Sequence, residues 1–163
     1  MVKRAVTTIS TCAEGDPRIA AALAALRELP ESTAVPMVAA YLTDDRNTIR
    51  RAAIYILSAG PFRSIDVAIG QLKQLCKHAE DSTRGMAALA LGGRRVASSK
   101  AILVEMATAD ASPYARRAAA YALGLLGDPA ALPALEGVAR DPDPNVAANA
   151  RASIEMLRST AKP

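Results

Sequence analysis

The stretch Pro113-Tyr114-Ala115-Arg116-Arg117-Ala118-Ala119-Ala120-Tyr121-Ala122-Leu123-Gly124-Leu125-Leu126-Gly127-Asp128-Pro129-Ala130-Ala131-Leu132-Pro133-Ala134-Leu135 reads as a helix, a turn and a second helix. Ser112 can cap the first amides, and Pro113 is tolerated in a first helical turn. Ala and Leu favour the helix that follows. Gly127 can take the left-handed conformation that ends a helix. Leu132, Leu135 and Val138 then fall at helical spacing along a second helix over 130–139.

The first helix of this stretch recurs. Ile49–Leu57, Thr83–Leu91, Ala115–Leu123 and Val146–Ile154 align, with offsets of 83−49=34, 115−83=32 and 146−115=31 residues. A fifth, weaker copy runs from Asp16-Pro17-Arg18-Ile19 through Leu23 and Leu26. Acidic, Pro or Ser punctuated turns open the copies: Asp16-Pro17, Asp44-Asp45, Asp81-Ser82, Ser112-Pro113 and Asp143-Pro144. Pro30, Gly60-Pro61, Gly92-Gly93 and Gly127 close the first helices. Second helices are predicted over 35–42, 65–77, 101–107 and 130–139. A repeat of this length holding two helices is a solenoid signal.

Val2, Val6, Ile9 and Ala13 share one helical face, which makes residues 2–13 a capping helix. The expected architecture is all-α: a right-handed α-solenoid of about five antiparallel helix pairs in one domain, 1–158. Its repeats run approximately over 16–44, 45–78, 79–110, 111–141 and 142–158, and 159–163 form a frayed tail.

Composition agrees. About half of the 163 residues are hydrophobic, yet 3% are aromatic, with no Trp and one Phe, Phe62; 37 are Ala. A core of Ala and Leu must bring backbones close together, which suits helix-on-helix packing and suits sheets badly. No apolar run approaches the roughly 18–20 residues of a membrane span. Thr7, Thr8, Ser10 and Thr11 interrupt the apolar core that a signal peptide needs, so a soluble, cytoplasmic location is expected. Cys12 and Cys76 read as small apolar residues at helix positions, and two thiols with one His make no zinc site. The net charge of +4 permits acidic or nucleic-acid partners without requiring them.

The pattern Leu123-Gly124-Leu125-Leu126-Gly127-Asp128, continued by Ala131 and Leu135, resembles the HEAT repeat. More narrowly, it is similar to the short, Ala-rich bacterial type associated with phycobilin lyases. The resemblance spans nearly the whole chain and is strongest from about Asp110 to Leu157. Repeats two and three depart from it at Ser58-Ala59-Gly60-Pro61 and Gly92-Gly93-Arg94-Arg95.

In such arrays an Arg at the slot of Arg50, Arg84 and Arg116 meets an Asp of a neighbouring turn. The resemblance therefore implies a structural ladder with Asp45, Asp81, Asp110 and Asp141 as acceptors; phosphate or acidic-partner binding is the other reading of these Arg. Tyr55 and Tyr121 share a slot with Leu89 and read as packing residues. His78 reads as a solvated residue at a helix end. Gly92-Gly93 before Arg94-Arg95 can cradle an anion, although a helix cap explains the glycines more simply. No phosphate-binding loop or nucleophile turn is present. The iron-binding HEAT enzyme that modifies a translation factor uses repeated His-Glu pairs, and this chain has none. These absences lead to the expectation that the chain is not an enzyme and takes no cofactor and no metal.

The leading expectation is a non-catalytic protein-interaction scaffold. Its surface is formed by the second helices, with Tyr41, Gln71, Lys73, Gln74, Lys77, Lys100, Glu105, Glu136 and Arg140 facing outward. Another protein, in particular an acidic segment, is the expected partner. Phosphate-backbone binding to nucleic acid through the 15 Arg is the alternative, although the shortage of aromatics argues against base stacking. A third reading, by resemblance alone, is an accessory subunit of a phycobilin-lyase-like enzyme. No membrane partner is expected.

Overall fold

The computed structural model describes residues 1–12 and 16–160. It is all-α among those residues: α1 Val2–Thr11, α2 Pro17–Ala25, α3 Glu31–Ala39, α4 Asn47–Ala59, α5 Asp66–Leu75, α6 Asp81–Gly93, α7 Lys100–Ala109, α8 Pro113–Leu126, α9 Leu132–Val138 and α10 Pro144–Thr160. Ala13 of the expected capping helix and residues 161–163 of the expected tail lie outside the described residues. The chain divides into two compact units, Met1–Leu72 and Lys73–Pro163, with the boundary inside α5.

In the first unit α1 is amphipathic. Its buried face carries Val2, Ala5, Val6 and Ile9, and it packs against α2, α3 and α4. Asp16 caps α2 by accepting the Arg18 N–H at 2.9 Å. No residue of α2 is buried, and Leu26, just past its end, is the first to enter the core. The turn before α5 is tied to the start of α3: the Glu31 carboxylate accepts the N–H groups of Arg63 at 2.8 Å and Ser64 at 2.7 Å. One side chain thereby satisfies two backbone donors in the turn.

In the second unit the first helices stack in sequence order, α6 on α8 and α8 on α10, while α7 packs on α8 and α9. The contact positions are small. Ala87, Ala88, Ala119, Ala120 and Ala122 are fully buried, and a Cβ on Gly92 would collide with the Ala122 backbone. Such contacts let helices approach closely and replace side-chain bulk by dispersion between backbones.

Two local readings change. Gly92 and Gly93 do not end α6 by left-handed geometry. The left-handed residue is Arg95 (φ 52°), and its N–H donates to Gly92 O at 2.9 Å while Val96 N–H donates to Leu91 O at 3.0 Å. That pair of bonds is a Schellman cap with Arg95 at the position usually held by Gly. Gly127 (φ 79°) caps α8 as expected. The second helices also shift, because 3-10 turns at Ala97–Ser99 and Pro129–Ala131 precede α7 and α9.

Candidate functional site

Three of the first helices, α4, α6 and α8, begin after an acidic or polar turn that the helix's own Arg braces. Arg50 Nη1 donates to Asp44 O at 2.8 Å, Arg84 Nη1 to His78 O at 2.8 Å and Arg116 Nη1 to Asp110 O at 2.9 Å. The acceptor side chain in each turn also takes the N–H two residues on. Asp44 takes Arg46, His78 Nδ1 takes Glu80, Asp110 takes Ser112 and Asp141 takes Asp143, all between 2.8 and 3.1 Å.

In the second unit these turns are joined by ion pairs. The Arg84 guanidinium places Nε and Nη2 each 2.7 Å from the two Asp110 oxygens. Arg116 does the same to Asp141 at 2.7 and 3.0 Å. Both pairs are largely withdrawn from water, with side-chain exposures of 15% and 8% for the first and 14% and 9% for the second. Burial works to raise the Asp110 carboxyl, but the bonds and charge of Arg84, with Ser112 N–H, outweigh it and hold the group below its ordinary range. Asp141 is held down chiefly by its bond to Arg116.

Asp45 and Asp81 take other places. Asp45 is exposed, and Asp81 accepts the Ser112 hydroxyl at 2.6 Å. The turn slot belongs to Asp44 and His78 instead. Arg46 forks onto Asp44 and holds that carboxyl at about 2. The signal was present in the spacing: 44, 78, 110 and 141 are each five residues before the repeat starts at 49, 83, 115 and 146.

None of the outward-facing residues expected on the second helices is buried. Tyr41 and Gln71 belong to the first unit. In the second, Lys73 Nζ meets Ser98 Oγ at 2.9 Å, Lys100 pairs with Asp128 at 2.8 Å, and Glu136 pairs with Arg158 at 3.2 Å. Gln74 and Arg140 are exposed. Lys77 and Glu105 are brought together at a half-open cavity of about 180 Å³, which Ile102, Met106 and the Arg84–Asp110 pair also line. Cys76 lines it too, and burial pushes its thiol up to about 12. The cavity therefore has an apolar part, a neutralised ion pair and exposed groups of each sign.

Tyr55 and Tyr121 are partly packed. Each remains 39% exposed on its first helix, with the residues on either side of it buried. Among the described residues no three His, Cys, Asp or Glu side chains stand together as metal ligands, and no helix is long and apolar enough to cross a membrane.

Three solved structures have a similar architecture. Human deoxyhypusine hydroxylase matches with a TM-score of 0.66 at 24% identity, over 85% of this chain and 50% of that one. An engineered protein matches at 0.63 and 20% identity, over 97% and 79% of the two chains. A designed armadillo repeat protein matches at 0.59 and 21% identity, over 96% and 82%. No curated protein matches the sequence. The chain spans half the length of the hydroxylase chain. That likeness overturns the expectation that the chain is not an enzyme, because helical repeats of this kind also carry a hydroxylase, and missing motifs are no ground for excluding catalysis from the fold. The sequence profile of HEAT repeats matches residues 69–155, more than half of the chain. With the ion-paired turns and stacked helices described above, this chain belongs to the HEAT-repeat family.

Proposed function

We propose that this HEAT-repeat chain is a binding scaffold that takes an acidic segment of a partner protein on its second helices. The observation that supports this reading best is the cavity mouth, where exposed Lys77 stands with Glu105 over Ile102 and Met106. A partner side chain can fill an apolar recess of this size while a neighbouring carboxylate meets Lys77. Buried anchors ringed by polar groups are the usual source of binding energy at protein interfaces, and the rim charges set partner choice and encounter rate. The residues on this surface are of mixed sign, which suits a protein segment better than a phosphate backbone.

The test is a titration of the chain against an acidic peptide and against mixed-sequence duplex DNA, at low and moderate salt. The expected result is peptide binding that weakens when Lys73, Lys77 and Lys100 are together replaced by Ala, with a shallower salt dependence. DNA binding with a steep salt slope, in the absence of peptide binding, would replace this reading by the nucleic-acid one.

A further inference from the structure

Arg95 is the only non-Gly residue with positive φ among the described residues. An L-residue in the left-handed region crowds its Cβ against backbone, and only Gly, or Asn and Asp through local bonds, goes there readily. Arg has no such excuse. The corresponding position one repeat later holds Gly127, since 127−95=32 equals the offset between those repeats, 115−83=32. Gly127 is left-handed as well. The cap at Arg95 is otherwise complete, with both Schellman bonds made and Val96 and Leu91 buried. The geometry thus calls for Gly and the chain supplies an exposed cation.

The surroundings show what that cation can do. The Arg95 guanidinium reaches towards the next turn, where Nη1 lies 3.9 Å from the position of a Cβ built on Gly127. Asp128, the following residue, is already engaged by Lys100 at 2.8 Å. On the other side Lys73 is tied to Ser98 at 2.9 Å, three residues past Arg95. Arg95 and Lys100 therefore stand on the edge where α6 turns into α7, and Lys73, inside α5, reaches that edge through Ser98. Strained backbone that persists in spite of its cost marks places where the side chain is needed.

We infer that this edge, Lys73, Arg95 and Lys100, is a docking site for the carboxylates of an acidic protein segment, with Arg95 kept in the left-handed region for its charge. The inference rests on the acidic-partner reading above and moves its electrostatic centre from the helix face to the inter-helix edge. Separate cations around a paired carboxylate, Asp128, fit separate side-chain carboxylates on a peptide. A continuous phosphate backbone would bring its charges against Asp128.

The experiment uses the full chain, a labelled oligoglutamate peptide and a labelled mixed-sequence DNA duplex, followed by fluorescence anisotropy and thermal unfolding. Arg95→Gly is expected to raise the melting temperature by roughly 2–4 °C and to weaken oligoglutamate binding at low salt about three-fold or more. Arg95→Lys is expected to keep both the wild-type melting temperature and the binding. A gain in stability with unchanged affinity overturns the inference, as does a loss of stability with Arg95→Gly, which would make Arg95 a structural residue. Failure of the wild-type chain to bind oligoglutamate, or Arg95-dependent binding of the duplex alone, also overturns it. Lys77→Ala separates the two readings: loss with Lys77→Ala alone keeps the helix-face reading and removes the edge, and loss with Arg95→Gly alone supports the edge and removes the helix face.

Discussion

Arg116 and Asp141, 25 residues apart, meet as a fork-on-fork ion pair at 2.7 and 3.0 Å. Its neighbour in the ladder is built alike, from Arg84 and Asp110. Asp110 serves both rungs, its carboxylate to Arg84 and its carbonyl to Arg116. The turns of the second unit are therefore bound to each other as well as to their own helices.

Replacing Asp141 by Asn leaves one acceptor facing a partly buried guanidinium. The expected cost is about 2 kcal/mol, in the range for hydrogen bonds to charged groups. Asp110→Asn is expected to cost more, since the perturbed turn also carries the second rung. Urea unfolding of the single variants and of the Arg116→Gln, Asp141→Asn pair gives the coupling. A coupling energy below about 0.5 kcal/mol would place the pair with ordinary surface bridges.

The same carboxylates make the stability of the second unit depend on pH. Asp110 and Asp141 are more acidic in the folded chain than in the unfolded one, where Asp titrates near 3.9. Their contribution is thus complete above about pH 5 and is lost as pH falls through the folded values. As pH falls below about 4, where unfolded Asp begins to take up protons, the wild-type chain should lose stability more steeply than the Asp110→Asn, Asp141→Asn double variant. Parallel curves of unfolding free energy against pH in that window would show that the two pairs do not drive acid unfolding.

The helices were legible because their apolar period is local and repeats at nearly constant offset, so Ala115–Leu123 could be laid over Thr83–Leu91 without knowing any contact. The ladder was legible in its Arg residues and in Asp110 and Asp141, but not in the first two turns, where Asp44 and His78 take the places expected of Asp45 and Asp81. Acid-rich turns such as Asp44-Asp45 hold more than one carboxylate, and charge alone does not say which one accepts; the five-residue spacing to the repeat start does. Where that spacing lands on His78, a search for Asp finds only its neighbour Asp81. The strained Arg95 was hidden behind Gly92-Gly93, whose glycines answer to a close helix contact at Gly92. The cavity that joins Lys77 and Glu105 comes from the turn after α5, from α6 and from α7 together, and no single-helix pattern reveals it. The exclusion of catalysis rested on absent motifs, and a fold shared with a hydroxylase shows how little those absences decide.

The close stacking of first helices makes a packing prediction. Ala119 has no exposed surface and lies among other alanines on α8. Ala119→Leu inserts bulk where helices touch and should cost about 1–3 kcal/mol. Ala53 is equally buried on α4, and Ala53→Leu should cost a similar amount in the first unit. Thermal and urea unfolding measure both. A loss of only a few tenths of a kcal/mol at either site would mean that the layer spacing there relaxes freely.

Cys76 tests the cavity from within. Its thiol is nearly inaccessible, and burial in an apolar wall pushes its pKa up to about 12. The thiolate is the reactive form, so at neutral pH almost none is present. Cys12 is half-exposed just past the end of α1. A thiol reagent added to the native chain should therefore modify Cys12 promptly and reach Cys76 only after unfolding. The Cys12→Ser variant isolates the second site. Labelling of that variant should follow the unfolding transition, and an anchor side chain seated in the cavity should slow it further. Rapid labelling of Cys76 below the transition would show that the wall between Ile102 and Met106 opens in the native state, and a recess that opens so readily would be a poor seat for a partner's anchor.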